Sequence, residues 1–271
     1  MIAQIIFGFL IVLLGFILFK KYPLDLDAKK ITIAAFFVII ASILNMLSLM
    51  VPLMGFPALK LGFGLLPLII AGASVFNPSM AFIVGLSYDL IGLIVKPTDF
   101  PFLGFTFANI MAAVLPSLLV IILNKVNLSI RKLETLIYSF LVVTYLFVTW
   151  YMLTTNSIRI DSNEVVVNST LILSVLLVTL GLSVAMITII KLMSKKYIDD
   201  KKEDVLKWTT IIIVTEVIVT FLLTSLNLYV MYEIPFFISL ATRVIKGFIM
   251  IPLFTIVGYL ISQMTKKALK M

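Results

Sequence analysis

The chain has 271 residues, 62% of them hydrophobic and 13% charged, with a mean hydropathy of +1.21 and a formal net charge of +8. Soluble globular chains run about 45–50% apolar and about 25% charged, so a water-soluble enzyme is excluded. Neither Cys nor His occurs, which removes disulfides, thiolate metal sites and the usual general base near neutral pH. Most membrane-embedded metalloproteases are excluded with them, and no metal site or cofactor is expected.

In chain order, apolar runs bounded by charged or Pro/Gly-rich breaks predict spans near 1–19, 31–52, 61–75, 78–95, 103–124, 135–154, 166–190, 208–230 and 236–265. An upright crossing needs about 20 helical residues. The short third run, interrupted by Gly62, Gly64, Pro67 and Gly72, is therefore not expected to stand upright. The first run carries its charges after the apolar part and shows no small-residue cleavage site, which predicts a retained helix instead of a signal peptide. Residues 194–207 form the longest polar stretch and read as a solvated loop. The expectation is an all-α polytopic membrane protein of about nine spans, with residues 1–271 forming one membrane domain.

The lysines are not spread evenly. One set of alternating loops holds Lys20, Lys21, Lys29, Lys30, Lys125, Arg131, Lys132, Lys191, Lys195, Lys196, Lys201, Lys202, Lys207, Lys266, Lys267 and Lys270, which is 16 of the 21 basic residues; the other set holds only Lys60, Lys96 and Arg159. Cytoplasmic loops of membrane proteins carry the Lys/Arg excess. This predicts a multi-pass cell-membrane protein with its C-terminus in the cytoplasm and its N-terminus outside. Because the charge comes as short clusters between apolar runs, it predicts contact with the lipid bilayer and no nucleic acid.

Four ionisable residues fall well inside predicted spans: Asp89, Glu216, Arg243 and Lys246. A charge at mid-bilayer costs at least about 2.5–3.5 kcal/mol, so such residues face the bundle interior, pair, and mark a ligand or ion path; a structural ion-pair network is the competing explanation. Helical spacing puts Ser239, Thr242, Arg243 and Lys246 on one face, Glu216, Thr220, Thr224 and Asn227 on another, and Thr106, Asn109 and Ala113 on a third. With the orientation above, most lie in the outer half of the membrane and predict a polar pocket open to the exterior. Tyr145, Trp150, Tyr151, Tyr229 and Tyr232 read first as an interfacial aromatic belt, and Tyr232 and Phe236 in the last outer loop are placed, as the second reading, as ring-stacking residues. No G-x-x-x-x-G-K-[ST] loop and no G-x-S-x-G elbow occurs. The chain is therefore not expected to be an enzyme, and a nucleotide-driven pump would need a partner to hydrolyse the nucleotide.

Residues 59–119 contain LGFG before Pro67, Ala71-Gly72, then Gly85, Asp89, Leu90-Ile91-Gly92, Pro97, Phe100-Pro101 and Gly104-Phe105-Thr106. This stretch resembles the substrate-binding S components of energy-coupling factor vitamin transporters, in particular the folate family, and the last helix with Arg243, Lys246 and Pro252 resembles that of the same family. The resemblance implies a six-helix core made of residues 31–124 and 205–265, to which helix 1–19 is an addition and 135–190 an inserted pair. It also implies high-affinity capture of a vitamin from outside, and docking on a transmembrane coupling subunit with two ATPase subunits. The expected substrate-binding set is Asp89, Phe105, Thr106, Asn109, Glu216, Asn227, Tyr232, Phe236, Arg243 and Lys246. Folate chemistry suits it: a carboxylate of Asp89 or Glu216 can accept two hydrogen bonds from a pterin edge, and the Arg243 fork matches a glutamyl carboxylate. A proton-coupled secondary transporter using Asp89 or Glu216, and less so a lipid-modifying membrane enzyme, are the alternatives.

Overall fold

The computed structural model describes residues 2–24, 26–53, 56–95, 101–126, 128–160, 163–195 and 199–269. Lys96, Pro97, Phe100, Lys196 and Lys270 lie outside the described residues, as do the side chains of Lys60, Arg159, Lys195 and Lys201. The chain is an all-α polytopic membrane protein. The helices in order are α1 (Ile2–Lys21), α2 (Ala28–Met46), α3 (Leu66–Ser74), α4 (Pro78–Val95), α5 (Leu103–Val126), α6 (Ile130–Thr154) and α7 (Ser169–Lys195). A long rod follows, made of α8 (Asp199–Thr215), a π-helical segment (Glu216–Leu223) and α9 (Thr224–Tyr232), and α10 (Phe236–Leu269) closes the chain. Among the described residues, eight helical stretches are long and apolar enough to cross a membrane, the rod counting as one.

Two short antiparallel hairpins are set between helices. Strands β1 (Leu49–Leu53) and β2 (Phe56–Leu61) pair with Leu49 opposite Leu61, and β3 (Ser157–Ile160) and β4 (Asn163–Val166) with Ser157 opposite Val166. The first hairpin corrects the sequence reading of a helix over 31–52. That helix stops at Met46, and Pro52 and Pro57, which cannot donate to a helical hydrogen bond, lie in the strands that follow. The seventh helix also begins three residues later than read, at Ser169.

The short α3 still makes a crossing in topological terms. Asn77, just before α4, donates its side-chain amide to the carbonyl of Pro23, and Ser79 Oγ donates to that of Leu18, so α4 starts where α1 ends and α2 begins. The chain must therefore return from the far end of α2 to this end between residues 46 and 78. Nine helical residues span only about 14 Å, and β2, packed against α10, covers the rest of the way. Ser74 at the end of α3 meets Ser262 near the end of α10 at 2.6 Å, and Lys202 pairs with Glu134 at 3.1 Å. These ties gather the ends of α1, α3, α5, α7 and α10, with their lysines, at one end of the bundle.

Within lipid, packing has no hydrophobic drive between helices and depends on close backbone approach through small residues. A Cβ on Gly72 would fall 2.0 Å from the carbonyl oxygen of Ala113, and one on Gly85 would fall 2.6 Å from Ile110 Cα. These two glycines let α3 and α4 lie directly on α5. Buried Thr209, Thr210, Ser183 and Thr255 each return their hydroxyl to a carbonyl one turn earlier, so no polar group is left over in the apolar interior at those positions. Helix α1 packs on α4 and α5, and α6 and α7 pack on α8 and α10.

The nine-leg path has a direct test. Single cysteines at Lys125 and Lys202 are expected to react with an impermeant maleimide from one side of a sealed vesicle, and one at Asn156 from the other; the native chain has no Cys to interfere. Labelling of Asn156→Cys and Lys125→Cys from the same side would break the topology.

Candidate functional site

A cavity of about 410 Å³ lies in the half of the bundle away from the lysine clusters. Its walls come from the end of α2 (Asn45, Ser48), the approach to α3 (Gly62, Gly64, Leu65), α4 (Tyr88), α5 (Phe105, Ala108, Asn109), the rod (Glu216, Val219, Thr220, Thr224, Leu228, Tyr232) and α10 (Arg243, Lys246, Phe254). Gly62 and Gly64 are required at this rim. Side chains there would strike Ser48 at 2.3 Å and Asn45 at 2.9 Å, so only glycines allow the hairpin to descend against the end of α2. Drug-sized ligand pockets run about 300–1,000 Å³, mostly apolar with a few placed polar groups, and this cavity fits that description.

Three charges line it. Glu216 and Arg243 are almost wholly buried, at 2% and 6% exposure, and Lys246 interacts electrostatically with both of them. Glu216 Oε2 has no hydrogen-bond partner among the described residues. Arg243 is held by its own helix: Nη1 donates to Ser239 Oγ at 2.7 Å and to the Ser239 carbonyl at 3.1 Å, while Thr242 Oγ1 donates to the same carbonyl. Ser239, on the polar face read from the sequence, thus braces Arg243, Thr242 shares its carbonyl, and neither lines the cavity. One anchored cation, a second cation and a carboxylate with one partnerless oxygen thus lie on one cavity, a set with the chemistry to pair with an anion that also carries N–H donors.

The ten residues expected from sequence divide into two groups. Phe105, Asn109, Glu216, Tyr232, Arg243 and Lys246 come together on the cavity wall. Asp89, Thr106, Asn227 and Phe236 lie behind or beside it. Asp89 accepts from Thr106 Oγ1 and from Asn109 Nδ2, both at 2.7 Å, so both its carboxylate oxygens are engaged within the α4–α5 interface and orient Asn109 toward the cavity. Gly85, one turn earlier on α4, brings the two helices close enough for this contact. Phe236 packs edge-on against Phe237 at 5.6 Å. Asn227 is fully buried on the flank of α9 that meets α5, close to Gly104, and neither end of its amide has a partner among the described residues.

The placement of Asn227 follows from the π-helical segment. The backbone N–H of Thr224 donates back five residues to the carbonyl of Val219, as a π-turn requires, and Thr224 Oγ1 donates to the same carbonyl. The wider turn shifts the phase of everything after it, so Thr224, Leu228 and Tyr232 form the lining stripe while Asn227 turns aside. Sequence reasoning placed Thr220 and Thr224 on a polar face but missed Tyr88, Asn45, Ser48 and Phe254. Tyr88 had a usable signal, since it adjoins an intramembrane acid; Asn45 and Ser48 fell inside what read as a continuous helix.

Compared with known proteins, the chain matches no family model and no curated protein sequence, so the reading of this site rests on its own geometry.

Proposed function

We propose that the chain is the membrane-embedded binding subunit of a vitamin importer of the energy-coupling factor type, taking folate or a related pterin. It captures its ligand outside the cell membrane, with its N-terminus outside and its C-terminus in the cytoplasm. Import then relies on a transmembrane coupling subunit and two ATPase subunits. The observation that carries this reading is the convergence of Glu216, Arg243 and Lys246 on one cavity remote from the lysine clusters. The lining side chains leave an excess of one positive charge, which attracts a carboxylate. In this reading the Glu216 carboxylate takes the amino-pyrimidinone edge of a pterin, Arg243 offers its fork to a glutamyl carboxylate, and Phe105 and Tyr232 supply faces for the rings.

The test is a titration of the purified chain in detergent with folic acid and with pteroic acid, which lacks the glutamyl tail. Saturable binding without nucleotide and no ATP hydrolysis by the chain alone are the expected results. Ligand at about 100 times its Kd should add about 2.7 kcal/mol to thermal stability. Uptake by the chain alone in proteoliposomes, driven by a proton gradient, would overturn the proposal in favour of a secondary transporter.

A further inference from the structure

Helix α1 lies outside the six-helix core, yet one of its side chains reaches into the segment that leads to the cavity. Gln4 Nε2 donates to the carbonyl of Pro101 at 2.8 Å, and Gln4 Oε1 accepts from the backbone N–H of Leu103 at 3.1 Å. The two bonds use both ends of the amide and bracket Phe102. That ring packs edge-on against Phe7 of α1 at 5.5 Å and against Phe105 at 5.9 Å. Gly8 brings the α1 backbone to Leu103, where a Cβ would sit 3.2 Å from a Leu103 methyl. An unbroken path therefore runs from Gln4 through Phe102 to Phe105, which is cavity wall.

Gln4 is the only strongly polar side chain in the apolar part of α1, residues 2–19. A lone amide in lipid costs free energy unless it finds partners, so its position fixes how α1 docks. It meets the Leu103 N–H, which the first turn of α5 leaves without a helical partner, and the Pro101 carbonyl just before that turn. Packing of α1 alone would need only its apolar face and glycines. A two-ended hydrogen bond to the turn preceding Phe105 adds a restraint on that turn.

We propose that α1 is a latch on the binding site, with Gln4 as a positioning residue that holds residues 101–105 against the cavity and so slows ligand escape. The effect on ligand rests on the reading given under Proposed function; the effect on the segment does not. Gln4→Met keeps the side-chain length and removes both bonds, and Gln4→Glu keeps the acceptor for the Leu103 N–H. Two readouts separate the claims. A cysteine at Phe105 should be labelled by a small aqueous maleimide roughly tenfold faster in Gln4→Met than in the Gln4 chain, the order expected from losing two net hydrogen bonds, with Gln4→Glu between them. A cysteine at Thr224, on the opposite wall, should label at an unchanged rate. Dissociation of labelled folic acid should accelerate by a similar factor. Unchanged labelling at Phe105→Cys overturns the latch, and so does an equal rise at Thr224→Cys, which would mean general loosening. Faster labelling at Phe105→Cys alone, with no folic acid bound by either chain, leaves the latch standing and removes the folate reading.

Discussion

Arg243→Ala is expected to weaken folate binding by about 2–5 kcal/mol, the usual loss when one partner of a buried charge pair is removed. The guanidinium is already held in place by Ser239 through two hydrogen bonds from Nη1, so little ordering is needed when a carboxylate arrives. Lys246 cannot substitute for it, because an ammonium is a point donor without the planar fork that a carboxylate accepts bidentately. Arg243→Lys should therefore recover only part of the affinity. Comparing folic acid with pteroic acid in wild type and variant isolates the tail. The tail-less ligand should lose little on mutation, and equal losses for both would remove the assignment of Arg243 to the carboxylate. An unchanged affinity in a well-folded Arg243→Ala chain would leave the three charges as a purely structural network.

The second large effect lies in the scaffold. Gly72→Ala is expected to lower stability by at least about 1–3 kcal/mol, the usual range for forcing extra volume into a packed interior. The obstruction here is backbone: the new methyl would meet the Ala113 carbonyl oxygen at 2.0 Å, and α3 would have to move away from α5. Gly85→Ala should be similarly costly, and its displacement of α4 would pull Asp89 from Thr106 and Asn109. Gly92 lies on the same helix with nothing within 4 Å of its Cβ position. Gly92→Ala should be neutral or stabilising by about 0.5–1 kcal/mol, since helical glycine carries an entropic penalty. Thermal unfolding of the three variants in one detergent measures all of this, and a Gly72→Ala chain as stable as Gly92→Ala would contradict the packing described.

Much of this architecture was legible as apolar runs between lysine clusters, because length and charge are the quantities a bilayer selects on. The unusual shortness of the third run was legible too, from its glycines and Pro67. The first hairpin was not. Residues 49–53 are as apolar as a helix end, and only their pairing with 56–61 settles them as strand. In the site, Glu216, Arg243 and Lys246 were legible because charges are rare and costly in lipid. Asp89 had the same signal but proved to be engaged by Thr106 and Asn109, a distinction that depends on which helix α4 packs against. Gln4 gave almost no signal, since a single amide near a chain end has no periodicity to read.

The π-helical segment also has a meaning for chain length. An α-helix turns by about 100° per residue, so a rod that must keep Glu216 facing Lys246 at one level and Tyr232 facing the same cavity higher up is sensitive to the insertion or loss of a single residue. Residues 216–223 absorb such an offset: forcing α geometry on them with every residue kept would swing Thr224, Leu228 and Tyr232 out of the wall together while leaving Glu216 in place, whereas removing one residue at the same time would keep all three near the wall. The rod thus behaves as two registers joined at a coupling, the lower tied to the charged floor and the upper to the rim. Substitutions above the joint can reshape the rim of the cavity without disturbing its charged floor.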